Sequence, residues 1–375
     1  MSLAVVNLIG VEKIVTFLAM LSVLVVLHEF GHYIVARRSG VRVNEFAVGM
    51  GPKLLGWTSP RTGTLYSLRA LPIGGYCAMQ GEDGKTSEAE QQREFRDTGE
   101  SHSDNFQAKT PWTRLGIVLA GPVANFLLCF LILLFAAVAF GVQGDGAQPV
   151  VGILVPGSPA ATAGIRAGDR IVELNGRPVS NGTALVDAIH GSLGKKLDIV
   201  YLRNGQRIET YAVPKLCPIP GKKLGCIGFT PVPVYQRVGL GAAISTSALQ
   251  FWQIADQTLG SIVLLATHFT QYAPQISGPI GMGQVASTVE DWGWGPYFWL
   301  AATISFALGL FNLLPIPALD GGRAAFIIAE LLRGRPVDPE KEAMVHVAGF
   351  AALMALMLIV AFHDIVRIAS GNGVM

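Results

Sequence analysis

Charged residues are scarce in this chain of 375 residues. Asp, Glu, Lys and Arg make up only 14%, hydrophobic residues make up 51%, and the mean hydropathy is +0.45. This composition is too apolar for an ordinary soluble protein, and the length is too great for one domain. The net charge is +2 and no basic run is interleaved with aromatic residues, which gives no reason to expect a nucleic-acid partner. The sequence therefore predicts a polytopic membrane protein that carries a soluble part.

Four apolar stretches are long enough to cross a bilayer, which takes about 20 residues each. They run over about 14–36, 115–140, 296–319 and 343–362. No charged segment and small-residue cleavage site flank a short apolar core at the beginning, so we expect the first helix to be retained. A further apolar region lies within 236–290 and is interrupted by Asp256. The interruption favours an amphipathic helix on the outer surface over a fifth span.

Lysine and arginine are absent from two long stretches of the chain. None occurs between Arg114 and Arg166, and none occurs between Arg237 and Arg323. Because short cytoplasmic loops carry an excess of basic residues, these gaps predict which loops lie outside. The predicted cytoplasmic segments are 37–114 and 320–342, and the predicted outer ones are 143–295 and both termini.

The first apolar stretch contains ionisable side chains, in the motif HEFGH at 28–32. His28 and His32 are one helical turn apart, so both can face the same way and ligate zinc. Glu29 would then lie beside the metal, where it could act as general base on a water molecule. The alternative is a pair of histidines that are hydrogen-bonded inside a helix bundle.

A third zinc ligand is offered by Asp320 in the motif NLLPIPALDGG at 312–322. Pro315 and Pro317 interrupt the helix, and irregular backbone at membrane depth is tolerated only where protein or a watered cavity covers it. The first and third predicted helices run in the same direction, so the histidines and Asp320 are expected near the same, cytoplasmic side. A plain helix-capping aspartate is the alternative.

Four motifs together resemble the site-2 intramembrane zinc metalloproteases, on the bacterial branch of the regulator of sigma E protease. They are HEFGH at 28–32, GPVANF at 121–126, SGPIG at 277–281 and NLLPIPALDGG at 312–322, in family order across nearly the whole chain. The resemblance implies that His28, His32 and Asp320 bind one Zn2+ per chain. It also implies that Glu29 is the catalytic residue that activates the attacking water.

The resemblance implies a substrate-binding site around the zinc. Asn312 would hold the substrate chain or the developing oxyanion, and the alternative is a helix-packing hydrogen bond. Between Val41 and Tyr76, short apolar alternations punctuated by glycines predict hairpins, where the family has a membrane-associated β-structure. A sheet edge there would hold an unwound substrate extended. The glycines assigned to this platform are Gly49, Gly51, Gly74 and Gly75, and ordinary turn glycines are the alternative.

The sequence changes character over 149–232, where short strands surround AGDRIVELNG. This segment closely resembles a PDZ domain of the bacterial protease type, in the permuted order. The loop Ile227, Gly228 and Phe229 would offer backbone amides to a C-terminal carboxylate, and a steric filter over the site is the alternative to peptide binding. The sigma E protease carries two such domains in tandem, whereas this chain has room for one.

On the same outer side, Cys217 and Cys226 flank a short loop that a disulfide could close.

The predicted fold class is a polytopic α-helical membrane protein with four transmembrane helices, a membrane-associated β-hairpin region and one extracytoplasmic PDZ (α+β) domain. The predicted segments, in order, are the first helix 1–40, the β region 41–80, a polar cytoplasmic loop 81–110, the second helix 111–145, the PDZ domain 146–235, an amphipathic outer-surface segment 236–293, the third helix 294–335, and the fourth helix with an outer C-terminus 336–375.

The resemblance implies an intramembrane zinc endopeptidase of the bacterial inner membrane. Its substrates would be single-pass transmembrane segments, such as membrane-tethered anti-sigma factors or signal-peptide remnants, after an upstream site-1 protease has removed their outer domains. A zinc-binding scaffold without hydrolysis is one rival, and the intact Glu29 argues against it. A metal transporter is the other, and it is disfavoured because no chain of ionisable residues crosses all four helices.

Overall fold

The computed structural model describes residues 11–82, 104–155, 157–217, 223–269, 278–290 and 293–369. The chain forms two compact units. The first comprises Met1–Phe135 with Ser247–Val374, and the second comprises Ala136–Thr246. Part of the predicted polar loop 81–110, both predicted outer termini and the first residue of SGPIG lie outside the described residues.

The helices and strands follow one another in an order that begins and ends with long apolar helices. They are α1 (Val11–Arg38), β1 (Val43–Thr58), β2 (Leu65–Met79), α2 (Pro111–Ala139), β3 (Val142–Leu154), α3 (Pro159–Thr162), β4 (Arg170–Leu174), β5 (Arg177–Pro178), α4 (Gly182–His190), β6 (Leu197–Arg203), β7 (Gln206–Ala212), β8 (Lys215–Leu216), β9 (Gly225–Cys226), β10 (Phe229–Gln236), α5 (Leu240–Thr267), α6 (Pro279–Glu290), α7 (Trp294–Leu313), α8 (Asp320–Arg333) and α9 (Pro339–Ala369).

Four of the described helices are long and apolar enough to cross a membrane. They are α1, α2, α7 and α9, with candidate spans at Glu12–Arg38, Pro111–Ala139, Trp294–Leu313 and Lys341–Val366. They coincide with the four apolar stretches of the sequence. The third helix is shorter than the predicted stretch, because it ends at Leu313 rather than at Leu319. Leu314 is extended, as expected for a residue that precedes a proline, and the segment 294–335 therefore contains two helices, α7 and α8.

The helices α1 and α2 lie unusually close together where Gly31 meets Ala120. A Cβ added to Gly31 would lie 2.4 Å from the carbonyl oxygen of Ala120. Small residues allow this kind of backbone approach between apolar helices, where packing and hydrogen bonds replace the hydrophobic effect. The contact brings the HExxH turn of α1 directly against α2.

The predicted β region forms one antiparallel pair of long strands, β1 and β2, rather than several short hairpins. Their register shifts repeatedly, which indicates β-bulges that bend and twist the pair. Gly49 shows why glycine is needed at a bulge: its φ is +85°, and a Cβ there would lie 2.5 Å from the carbonyl oxygen of Leu71. The sheet packs against α1, with a core that includes Val41, Val43 and Phe46.

The segment predicted to be an amphipathic outer-surface helix contains α5, of 28 residues, and α6. Ile254 and Ala255 of α5 are buried against Cys129 of α2 and Phe306 of α7. One face of α5 is therefore covered by two helices of membrane length, while large apolar residues such as Trp252 are exposed on α5. Within the described residues, α5 is not one of the four candidate spans.

The second unit has the strand order of a permuted PDZ domain. Its main sheet runs β10-β3-β4-β6-β7, so the last strand pairs with the first. The helices α3 and α4 accompany a core that includes Val151, Ile171 and Leu185. In AGDRIVELNG, the 2% exposed Asp169 accepts two hydrogen bonds from Arg203, at 2.8 and 2.7 Å, which satisfies its buried charge.

A disulfide lies beside the predicted carboxylate loop of this unit. Cys217 and Cys226 are bonded, with their Cα atoms 5.1 Å apart, and they link β8 to β9. Because Cys226 directly precedes Ile227, the bond restrains the start of that loop. Cys77 and Cys129 are free and buried.

The disulfide predicts an alkylation pattern. Denatured protein that has not been reduced should incorporate iodoacetamide at Cys77 and Cys129 only, because a thiol in a disulfide cannot react as a nucleophile. After reduction, all four cysteines should be labelled, which serves as the control. Mass spectrometry of the peptides reads both states, and label on Cys217 or Cys226 before reduction would contradict the bond.

Candidate metal centre and active site

Three donor atoms from distant parts of the chain meet at one point in the first unit. His28 Nε2 lies 3.0 Å from Asp320 Oδ2, His32 Nε2 lies 3.3 Å from Asp320 Oδ2, and the two Nε2 atoms lie 3.3 Å apart. Ligand atoms at about 2.0–2.1 Å from a tetrahedral zinc are separated by about 3.3 Å. The three donors therefore fit the metal that the motif requires, with room for a fourth ligand.

The Nε2 atoms of His28 and His32 and the Oδ2 atom of Asp320 form a donor triangle. The four-residue spacing on α1 and the break in the chain before α8 bring these three atoms together. His28 and His32 are four residues apart on α1 and are each 6% exposed. Asp320 is the first residue of α8, after the turn that Pro315 and Pro317 impose. Ala318 in that turn has a φ of +76°, and its N–H donates to His346 Nδ1 on α9 at 2.9 Å. A strained residue is thus held two positions before the third ligand.

The second nitrogen of each histidine faces α2. His32 Nδ1 is 2.8 Å from the carbonyl oxygen of Ile117, and His28 Nδ1 is 3.1 Å from the side-chain amide of Asn125. Gly121 lies between these two residues on the same face of the helix, and a Cβ there would lie 2.2 Å from His32 Nε2. From the sequence, GPVANF contributed only to the family resemblance. The four-residue spacing of Gly121 and Asn125 was the available signal for a role at the site.

Two cavities meet at the metal donors. The smaller, of about 200 Å3, is lined by Val25, His28, Glu29, Asn125, Leu308, Asn312, Ala318, Leu319 and Asp320. The larger, of about 520 Å3, reaches from Glu29 and Asp320 past Tyr76 to Phe350 on α9. Glu29 lines both cavities next to the metal donors, and its role as general base stays a prediction.

Asn312 lies on the smaller cavity, as a substrate-binding residue would. Its Nδ2 donates to the carbonyl oxygen of Leu308, one turn earlier in α7, at 3.0 Å. The helix hydrogen bond of the alternative interpretation is therefore present. Because an amide nitrogen carries two protons, one remains for a ligand in the cavity.

The four glycines of the predicted platform shape the β1–β2 pair. Gly49, Gly51 and Gly74 have positive φ, and a Cβ on Gly75 would lie 2.7 Å from the carbonyl oxygen of Ala47. In the part of the chain that the structure describes, none of the four lines either cavity. The next residues of β2, from Tyr76 to Met79, line the larger one. Substrate binding by the glycines stays a prediction, and the neighbouring segment is the one in contact with the cavity.

A polar network in the sheet fixes Tyr76 in place. The carboxylate of Glu45 accepts hydrogen bonds from Ser67 at 2.5 Å, Arg69 at 2.7 Å and Tyr76 at 2.7 Å. Burial opposes ionisation of Glu45, but these hydrogen bonds prevail and lower its pKa. Burial and the bond to Glu45 raise the pKa of Tyr76 to about 12. Sequence reasoning missed this network, whose signal was a carboxylate within a mostly apolar strand.

An ion pair lies on the same larger cavity. Arg323, three residues after Asp320, contacts Glu82, which follows β2. Sequence reasoning did not identify this pair, since nothing in either local pattern indicates the other partner. It connects the start of α8 with the end of the sheet.

The predicted carboxylate loop lies in the second unit. The carbonyl oxygens of Ile227 and Gly228 accept hydrogen bonds from the N–H groups of Ala160 and Val155, both at 2.8 Å. Gly228 has a φ of +85°, and Phe229 begins β10. The loop is thus fixed through its carbonyl groups, and carboxylate binding by its amides stays a prediction.

A model of known protein families described as peptidase family M50 matches residues 16–356, which is most of the chain. The chain belongs to peptidase family M50. The prediction of a site-2 zinc metalloprotease is therefore confirmed. The donor triangle offers two imidazoles and a carboxylate, which are side chains that could hold a metal ion.

Curated relatives of this M50 peptidase match it over nearly its whole length. The "Zinc metalloprotease RasP" of Bacillus licheniformis is 31% identical, and the match covers 95% of this chain and 99% of that protein. The "Regulator of sigma-W protease RasP" of Bacillus subtilis is 29% identical, with 96% and 99% covered.

Among solved structures, a PDZ domain of an SdrC-like protein from Listeria monocytogenes is 24% identical, with a TM-score of 0.21, and the match covers 24% of this chain and 94% of that one. The corresponding domain from Listeria innocua is 26% identical, with a TM-score of 0.20, and 25% and 100% are covered.

The close contact at Gly121 predicts a strong effect on metal binding. Gly121→Ala should lower zinc affinity by about tenfold or more, because the new methyl group displaces the His32 ring. Gly116→Ala is the matched control on the same helix, since a Cβ there meets nothing within 4 Å. Zinc is measured per chain after equilibration with a competing chelator. Wild-type affinity in Gly121→Ala would contradict the geometry.

Proposed function

We propose that this M50 peptidase is an intramembrane endopeptidase that cleaves single-pass transmembrane segments of other proteins. One observation carries the proposal: His28, Glu29 and His32 lie on α1, a helix of membrane length, and Asp320 at the start of α8 completes the set of zinc donors. Ionisable groups at membrane depth are costly and are retained for function. The relative named as a regulator of sigma-W protease supports membrane-bound substrates, of which anti-sigma factors and signal-peptide remnants are the proposed classes.

The chemistry is hydrolysis of a peptide bond. When bound, zinc supplies Lewis acidity, which polarises a carbonyl group and makes a water molecule acidic enough to attack at neutral pH. Glu29 accepts a proton from the attacking water as the new C–O bond forms. It then gives that proton to the departing amide nitrogen as the C–N bond breaks. The second N–H group of the Asn312 amide donates a hydrogen bond to the carbonyl oxygen of the peptide bond being cut, where negative charge develops.

Substrate must be extended before it reaches Glu29, because the scissile bond of a helix is enclosed by its own turns. The segment from Tyr76 to Met79 lines the larger cavity and belongs to a strand, so it can pair with an extended chain. The Glu45 network holds Tyr76 and its strand in this position. We assign the platform role to this segment, which Gly74 and Gly75 directly precede in the same strand.

The orientation follows from the distribution of basic residues. We propose that the zinc site lies toward the cytoplasmic side of the bacterial inner membrane and that the PDZ domain and both termini are extracytoplasmic. The outer domain of a substrate would first be removed by an upstream site-1 protease. The PDZ domain would either bind the new C-terminus at Ile227–Phe229 or exclude substrates that are still bulky.

The test is cleavage of a model single-pass substrate, with and without its outer domain, by purified protein with zinc measured in parallel. Wild type should cut the truncated substrate and leave the intact one. Glu29→Gln should keep its zinc and lose about a hundredfold or more in cleavage rate, since the amide cannot accept the proton. Glu12→Gln, an exposed position on the same helix, is the control and should behave as wild type.

The remaining outcomes separate the rival functions. Cleavage retained in Glu29→Gln would disprove the assigned base. Zinc-loaded wild type that cuts no transmembrane segment would favour the scaffold, and zinc flux in proteoliposomes would favour a transporter. Equal cleavage of intact and truncated substrates would disprove the sequential requirement alone.

A further inference from the structure

The two zinc-binding histidines are oriented by the same face of α2. Ile117, Gly121 and Asn125 are successive residues at a spacing of four, so they lie in one row along that helix. The first contacts His32 Nδ1 through its carbonyl oxygen, and the last contacts His28 Nδ1 through its side chain. Each histidine therefore has Nε2 toward the metal position and Nδ1 toward α2.

Binding a metal through Nε2 determines what Nδ1 needs. A neutral imidazole carries one proton, so a histidine whose Nε2 binds a metal carries that proton on Nδ1 and donates it. The carbonyl oxygen of Ile117 is an acceptor and satisfies His32. His28 Nδ1 faces the amide nitrogen of Asn125 at 3.1 Å, which is also a donor.

The same amide has an unsatisfied acceptor. Among the described residues, the buried side-chain oxygen Oδ1 of Asn125 has no hydrogen-bond partner, and the residue is 1% exposed. An amide oxygen and nitrogen have nearly the same shape, so the hydrogen-bond network decides which is which. Rotating the amide by half a turn places Oδ1 against His28 Nδ1, and this removes both the donor conflict and the orphaned acceptor.

We propose that Asn125 is a positioning residue that accepts the Nδ1 proton of His28 and thereby holds Nε2 free for zinc. Its backbone is fixed for this role, because Ser305, which is 0% exposed, donates to the carbonyl oxygen of Asn125 at 2.9 Å. The α2 helix then supplies one acceptor to each histidine, a main-chain carbonyl to His32 and a side-chain carbonyl to His28. The inference rests on the zinc site of the proposed function but not on proteolysis.

The experiment compares Asn125→Leu, which keeps the volume and removes the acceptor, with Asn125→Asp, which keeps an acceptor in the same place. Zinc affinity is measured by chelator competition on the full-length protein. Asn125→Leu should bind zinc about 10–100-fold more weakly, as expected for loss of a partner behind a metal ligand. Asn125→Asp should bind zinc at least as tightly as wild type. Gly116→Ala on the same helix, where a Cβ meets nothing within 4 Å, is the control and should bind zinc as tightly as wild type.

A spectroscopic measurement keeps the inference testable if the leucine variant does not fold. In zinc-loaded wild type, the 15N spectrum of labelled histidine should show His28 protonated and hydrogen-bonded at Nδ1. Unchanged zinc affinity in folded Asn125→Leu, or a His28 that is unprotonated at Nδ1 in the wild type, would overturn the inference. Wild type that binds no zinc at this site would overturn the metal site itself, which is a different result.

Discussion

The site depends on the close approach of two helices. Where Gly31 of α1 meets Ala120 of α2, no side chain separates the backbones, and Gly121 leaves the adjacent space to the histidine rings. This contact lets a helix with no metal ligand of its own provide hydrogen-bond partners for both histidines. Without it, two imidazoles in an apolar environment would carry unsatisfied nitrogens, which is costly when water is excluded.

The third proposed ligand, Asp320, is placed by the break between α7 and α8, whereas the two histidines are placed by the periodicity of one helix. After α7 ends, the turn through Pro315 and Pro317 redirects the chain so that α8 begins with its aspartate at the metal position. Irregular backbone of this kind needs cover from protein or a cavity. Both cavities and the contact between His346 and Ala318 provide that cover. Residues of this break line both cavities together with Glu29.

Features that follow from local periodicity could be predicted from the sequence. The four-residue spacing places His28 and His32 together, and the proline motif marks the place of Asp320. The predicted third stretch runs to 319, beyond the end of α7 at Leu313. The restriction on a residue before proline already favours Leu314 as the boundary. Contacts between distant segments could not be predicted in this way. The hydrogen bonds of Glu45 depend on a bulged register that no single strand encodes, and Asn125 is next to His28 only because two glycines allow it.

We propose that His28, His32 and Asp320 together bind one zinc ion in a site open to water. X-ray absorption at the zinc edge of the purified protein identifies the atoms around the metal. We expect one zinc per chain with nitrogen and oxygen neighbours at about 2.0–2.1 Å, including two imidazoles, and no sulfur neighbour. A sulfur neighbour at about 2.3 Å, or imidazole scattering that persists when both histidines are replaced, would contradict it.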